Sequence, residues 1–180
     1  MKATGIVRRI DDLGRVVIPK EIRRTMRIRE GDPLEIFVNK EGEVIFKKYS
    51  LLGDIDELAG QFCEALSKNI GGVVAVTDRD SVIAIAGGGK RELLERQLSD
   101  ALEAVLEERG TYCRQENEKP LPVIEGSDQY HVCLAAPILS QGDVMGSVLL
   151  VTDQENRMTG EIERALAETA ASFLGRHMED

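Results

Sequence analysis

The 180-residue chain contains no tryptophan, three tyrosines and four phenylalanines, and its first 29 residues carry no aromatic side chain. Modules that read single-stranded RNA stack bases on exposed aromatics, so RNA is not the expected partner of that stretch. Only three cysteines are present, Cys63, Cys113 and Cys133, too few and too far apart for a disulfide framework. Nothing at the start resembles a secretion or transit signal, and a reduced, cytoplasmic protein is expected. No apolar run approaches the roughly 18 residues that a membrane helix requires. A Ser/His/Asp set, a pair of catalytic carboxylates and a nucleotide motif are all missing, so neither an enzyme nor a cofactor nor a metal is expected.

What is present is a lopsided charge. The net charge is −9, yet residues 1–29 hold nine basic side chains against Asp11, Asp12 and Glu21, which leaves +6. Residues 1–48 together carry +4 and residues 49–180 carry −13. One end of the chain attracts polyanions and the other repels them. Seven of the nine basic residues are arginine, whose planar fork grips a phosphate, or the O6/N7 edge of guanine, with two hydrogen bonds.

The pattern divides the chain near Tyr49. Before it, ATGIVRRI (3–10) and RVVI (15–18) have strand composition and are joined by the tight turn DDLG. Pro19 then opens a short helix, PKEIRRTM, because a proline at the first helical position sacrifices no hydrogen bond. LEIFV and VIFKKY come next as a hairpin around NKEGE. On the short helix Ile22 and Met26 share one face at i, i+4, and Arg23 and Arg27 share another, flanked by Arg24. A unit of this size, with neither disulfide nor metal, is too small to bury a sufficient core alone. Apolar residues on both faces of its later strands (Phe37 and Ile45, Ile36 and Val44) point to dimerisation.

The segment TGIVRRIDDLGRVVIPKEIRRTMRIREGDPLEIFV closely resembles the AbrB family of bacterial transition-state regulators, with LGRVVIPKEIRR as its most specific part. Length, register and the type of the second domain resemble a sporulation-linked branch of that family. The resemblance implies that residues 1–50 form a swapped-hairpin β-barrel built by two interlocked chains, a domain that binds double-stranded DNA. It places Arg8, Arg15, Arg23 and Arg24 among the DNA-contacting arginines and Arg9 at a position that is basic in the family. An arginine-rich helix is otherwise most often only a solvated face, and Arg27 and Arg29 stand equally well as contacts or as the edge of the interface.

Residues 51–180 read as a second domain in the order α, ββ, α, βββ, α. A helix over 54–69 has the stripe Ile55, Leu58, Ala59, Phe62, Leu66, and VVAVTD and SVIAIAG form a hairpin turning at Arg79 and Asp80. KRELLERQLSDALEAVLEERG reads as one amphipathic helix. Three strands, TYCRQ, YHVCLAAPIL and VMGSVLLVTD, precede a last helix over 159–178 with the stripe Ile162, Leu166, Thr169, Phe173. The order and the GDVMGSVLLV strand resemble a GAF domain, which implies an α/β regulatory and oligomerisation domain with a possible small-molecule ligand. The fold class expected for the whole is therefore α+β, and the assembly a homotetramer built as a dimer of dimers.

Three features of this second domain invite chemistry. IAGGGKRE sits after a strand and opens a helix, but a phosphate loop needs glycine where Ala84 stands and Ser or Thr where Arg91 stands; an ordinary turn is expected. Cys113, His131 and Cys133 have the chemistry of metal ligands, and the plainer reading is buried cysteine. His177 suits the negative end of the last helix. The polar loop ENEKPLPVIEGSDQ is placed where a sensor pocket can be lined. The combined expectation is a DNA-binding transcriptional regulator of sporulation genes, acting as activator and repressor. The alternative is an antitoxin of swapped-hairpin type, against which stand the length and the strong periodicity of residues 51–180.

Overall fold

The computed structural model describes residues 5–49, 56–154 and 157–178. Residues 3–4 of the first expected strand, the expected junction at 50–51 and residues 54 and 55 of the expected helix lie outside the described residues. The chain separates into two compact units, Met1–Tyr49 and Ser50–Asp180. Among the described residues no helix is long and apolar enough to cross a membrane.

The first unit holds a six-residue helix, α1 (Lys20–Thr25), and an antiparallel pair, β1 (Leu34–Val38) and β2 (Val44–Lys48), in register from Leu34↔Lys48 to Val38↔Val44. Asn39 builds the turn between the strands by accepting the backbone N–H of Glu41 at 3.0 Å and of Glu43 at 2.9 Å on Oδ1, an Asx turn. Among the described residues, the strands expected at 3–10 and 15–18 are not formed within one chain. Their connecting turn is: Asp11 Oδ1 accepts from Leu13 N at 3.0 Å and Arg15 N at 2.8 Å, and Asp11 N donates to the Arg15 carbonyl at 3.1 Å. Beyond that rung the two segments form no ladder. A strand is stabilised by its partner rather than by its own composition, and the described part of one chain supplies no partner strand. Val7 is left 88% exposed, Val17 69% and Val38 73%, a degree of apolar exposure that a soluble monomer rarely shows.

The second unit is a six-stranded antiparallel sheet of β3 (Val73–Thr77), β4 (Val82–Ala86), β5 (Tyr112–Cys113), β6 (Leu121–Pro122), β7 (His131–Ser140) and β8 (Asp143–Thr152), in the order β4-β3-β8-β7-β5 with β6 also paired to β7. Helices α2 (Asp56–Ile70) and α5 (Glu161–His177) cover one face. There Ala59, Cys63 and Leu66 meet Ala167, Ala170, Ala171 and Leu174 over Val74, Val76, Leu134 and Leu150. Small residues on α5 bring it down onto the sheet, and at Gly175 a Cβ would collide with the Leu139 carbonyl. On the other face Leu93, Leu98, Leu102, Leu106, Val123 and Ile124 fill the space over Ala75, Ala135, Leu149 and Val151. Covered on both sides, β7 and β8 are apolar almost throughout, as sheets buried on both faces are.

The amphipathic stretch 90–109 is two helices rather than one. α3 (Lys90–Leu93) ends where Leu94 turns extended and Glu95 adopts φ 60°. α4 (Asp100–Glu107) restarts at Ser99, whose hydroxyl accepts from Leu102 N at 3.1 Å. Between them the backbone runs along the edge of β4, with Glu95 N donating to the Val82 carbonyl at 2.8 Å and Leu98 N to the Asp80 carbonyl at 2.8 Å. A continuous helix would forgo those edge bonds and the Ser99 cap. β6, a two-residue strand inside the polar loop, is a further element that the sequence pattern did not announce.

Candidate nucleic-acid interface

Unit 1 gathers the basic side chains at two places. Arg8 and Arg9 lead into the Asp11–Gly14 turn and Arg15 leaves it, all three exposed. Gly14 takes φ 76°, a left-handed conformation that a Cβ disfavours, which is why the turn is as tight as the sequence suggested. The Arg15 guanidinium is already engaged: its Nε donates to Asp11 Oδ2 at 2.8 Å. Since the fork has five donors, this fixes its direction and leaves its other nitrogens for a phosphate. The backbone N–H of Arg15, and then its guanidinium, hold the Asp11 carboxyl below its usual range.

Arg23 and Arg24 stand exposed on α1, in its last turn. Pro19 supplies the entry to the helix, and Arg23 N donates to its carbonyl at 2.9 Å. Cations near a helix C-terminus are favoured by the backbone dipole, so local physics and an outward basic face agree. Arg27 departs from the expectation of a helical face shared with Arg23. The helix ends before it, Met26 is the C-cap and is 49% exposed, and Arg27 adopts φ 51°. The i, i+4 spacing read on paper is broken by the turn that redirects the chain toward β1. Lys47, which no sequence pattern singled out, lies over the Phe37 ring at 4.9 Å; the register sets Lys47 opposite Glu35 and Phe37 opposite Ile45, so the contact is a diagonal one across the pair.

In unit 2, His131 and Cys133 are buried on β7 and Cys113 is half-buried on β5. Burial pushes the Cys63 thiol up to about 12 and the Cys133 thiol up to about 11, so both are protonated and unreactive at neutral pH. Among the described residues no group of three His, Cys, Asp or Glu side chains is arranged to hold a metal ion. Gly87, Gly88 and Gly89 all take positive φ and lead only into the four-residue α3, which makes them a turn. His177 stacks on Phe173 with ring centres 6.2 Å apart, and Phe173 packs on Phe62 at 5.2 Å. An open groove of about 480 Å³ is lined by Tyr112, Cys113, Gln115, Glu118 and Arg164 among others. Part of the polar loop therefore borders a groove, while the space under α4 is filled by side chains.

Comparison with known proteins bears on both units. Residues 54–179 match the family described as stage V sporulation protein T C-terminal, transcription factor. Residues 7–51 match the family described as antidote-toxin recognition MazE, bacterial antitoxin. Stage V sporulation protein T of Bacillus subtilis is 46% identical over 180 residues, covering 99% of each chain. The transition state regulatory protein AbrB of the same organism is 63% identical over 49 residues, 27% of this chain and half of that protein. The GAF domain/HD domain protein of Geobacter sulfurreducens shares the fold with a TM-score of 0.51 at 21% identity, over 73% of this chain and 99% of the other.

Proposed function

Since the chain belongs to the stage V sporulation protein T family, we propose that it is a cytoplasmic DNA-binding regulator of sporulation genes, activating some and repressing others, and not an enzyme. Residues 1–50 bind the duplex as an interlocked pair of chains. Residues 51–180 form the GAF-like regulatory domain that joins two such pairs into a tetramer and can take a small ligand. The observation that carries this reading is the exposed basic unit at one end of an acidic chain, with Arg8, Arg9, Arg15, Arg23 and Arg24 all at its surface. The exposure of Val7, Val17 and Val38 in one chain supports the pairing: a second copy supplies strand partners for 5–10 and 15–18 and covers those side chains.

The mechanism grows out of the charges. The arginines of two paired units lie against the phosphates and release condensed counterions, which supplies most of the affinity. Discrimination among sites comes from duplex shape as much as from base edges. A competition gel shift tests the reading: a labelled duplex should be displaced by excess duplex DNA and not by single-stranded RNA of the same length. Equal displacement by the RNA contradicts it.

A second reading is favoured by the antitoxin-type match over 7–51. An antitoxin of that kind binds DNA through the same unit and a toxin through its C-terminal segment. It predicts that residues 51–180 act by capturing a protein partner, and removal of co-purifying small molecules would then leave DNA affinity unchanged. Ligand control predicts that the affinity changes.

A further inference from the structure

The helix that presents Arg23 and Arg24 has no buried residue of its own; Pro19 at its entry is buried and Ile22 half-buried, so apolar packing anchors its start more than its exit. Its last turn closes with Ile28 N donating to the Arg23 carbonyl at 2.7 Å and Arg27 N to the Arg24 carbonyl at 3.2 Å. That pair of bonds requires a left-handed residue between helix and strand, and Arg27 at φ 51° fills the place against the preference of any residue with a Cβ. The exit from α1 is thus a strained hinge, held from outside the helix.

The holding groups are Asp32 and Lys48. Lys48, on β2, donates from Nζ to the Arg27 carbonyl at 2.8 Å and lies 3.5 Å from Asp32 Oδ2. The Asp32 side chain is only 5% exposed, and its Oδ2 also accepts from Arg29 N at 2.8 Å. One buried carboxylate therefore ties the segment after α1 to the lysine, and the lysine ties the hinge carbonyl to the hairpin. With its carboxylate shielded and its ammonium partly so, the pair holds its geometry better than a fully exposed pair does.

We propose that Asp32 and Lys48 are positioning residues for DNA binding, clamping the Arg27 hinge to β2 so that Arg23 and Arg24 are aimed before the duplex arrives. The proposal rests on the reading of α1 as a DNA contact. It makes a claim that charge alone opposes. Removing the carboxylate of Asp32 makes the unit more basic, and Coulomb attraction then predicts tighter binding to a polyanion; loss of the clamp frees α1 and predicts weaker binding.

The test titrates one fluorescent duplex across a salt series with the full chain and with Asp32→Asn, Lys48→Met, Lys48→Arg and the Asp32→Asn/Lys48→Met double variant, each checked by circular dichroism. The expected result is a loss of about tenfold for Asp32→Asn and for Lys48→Met, the scale of a lost hydrogen bond to a charged group, with the salt slope unchanged. Lys48→Arg keeps most of the affinity, and the double variant is no weaker than the worse single one, since both act through one clamp. Asp32→Asn binding as tightly as the unsubstituted chain, or more tightly, overturns the proposal if the fold is native. So does a slope flattened by about one unit per chain in Lys48→Met, which makes Lys48 a phosphate contact. Should Asp32→Asn fail to fold, the two Lys48 variants decide, that side chain being 26% exposed. If the unsubstituted chain itself does not bind the duplex, the DNA reading falls and takes the clamp with it.

Discussion

Arg23 and Arg24 differ from Arg15 in what holds them. Among the described residues, neither α1 arginine is tied by a carboxylate in the way that Asp11 ties Arg15, so both are read as meeting phosphates with a full set of donors. Replacing either with alanine should weaken binding on many different DNA sequences alike and flatten the dependence of log K on log salt by about one unit per lost contact in each chain. Circular dichroism should stay native, because neither side chain is buried. Unchanged affinity at low salt would contradict the assignment. Asp11 carries a pH prediction with a definite sign. Its carboxyl is held low in the folded chain, first by the Arg15 backbone N–H and then by its guanidinium. The stabilisation of the turn is therefore complete above the ordinary carboxylate value of about 3.9 and is lost as pH falls through the depressed one. A carbon-13 titration of the Asp11 carboxyl should show its midpoint below that ordinary value, and Arg15→Ala should return it partway; a midpoint at or above the ordinary value contradicts the pairing.

At the scale of elements, the parts that read true are those whose burial lies inside one chain. The stripe of α2 and the hairpins β3–β4 and β7–β8 carry their periodicity in residues that the second unit itself buries. The stripe expected on α5 does not: Ile162 is 77% and Phe173 49% exposed, and the buried face is Ala167, Ala170, Ala171 and Leu174, mostly small residues that a search for large apolar side chains passes over. The strands expected over 3–10 and 15–18 have the composition of strands and no partner strand within the described chain; the proposed pairing of two chains would supply one. The long helix expected over 90–109 misled for another reason. Leu93, Leu98, Leu102 and Leu106 are all buried at spacings near the helical period, and the period continues across a break that only Ser99 marks. The Asp32–Lys48 clamp was invisible because its two residues are sixteen positions apart and meet only through the β1–β2 register, Leu34↔Lys48. The Ser99 cap gives this scale its prediction. Ser99→Ala removes the acceptor for Leu102 N and also the donor to the Pro122 carbonyl, now at 2.7 Å. The cost should be about 1–2 kcal/mol of stability, seen as a lower midpoint in urea, with DNA affinity at low denaturant unaffected. No shift in midpoint would mean that α4 is fixed by its apolar face alone.

For the whole molecule, two opposing effects decide how truncation acts. Cutting after Tyr49 removes the segment that carries −13, which favours DNA, and removes the domain proposed to join two DNA-binding pairs, which forfeits the second contact on long DNA. On a fragment with one site the shortened chain should bind as well as the intact protein or better. On DNA with two spaced sites the intact protein should win by about a hundredfold, the scale at which linked sites gain from effective concentration. Light scattering should give a tetramer for the intact chain, and a dimeric mass together with no advantage on two-site DNA would contradict the assembly. The measurement that bears most directly on the account is the affinity of the intact chain for a single-site duplex over a salt series. The account predicts a straight, steeply negative plot of log K against log salt, with a slope of about −0.9 for each phosphate that the arginines of two paired units neutralise. A slope near zero, or no binding at low salt, would contradict the claim that the basic island is a DNA footprint.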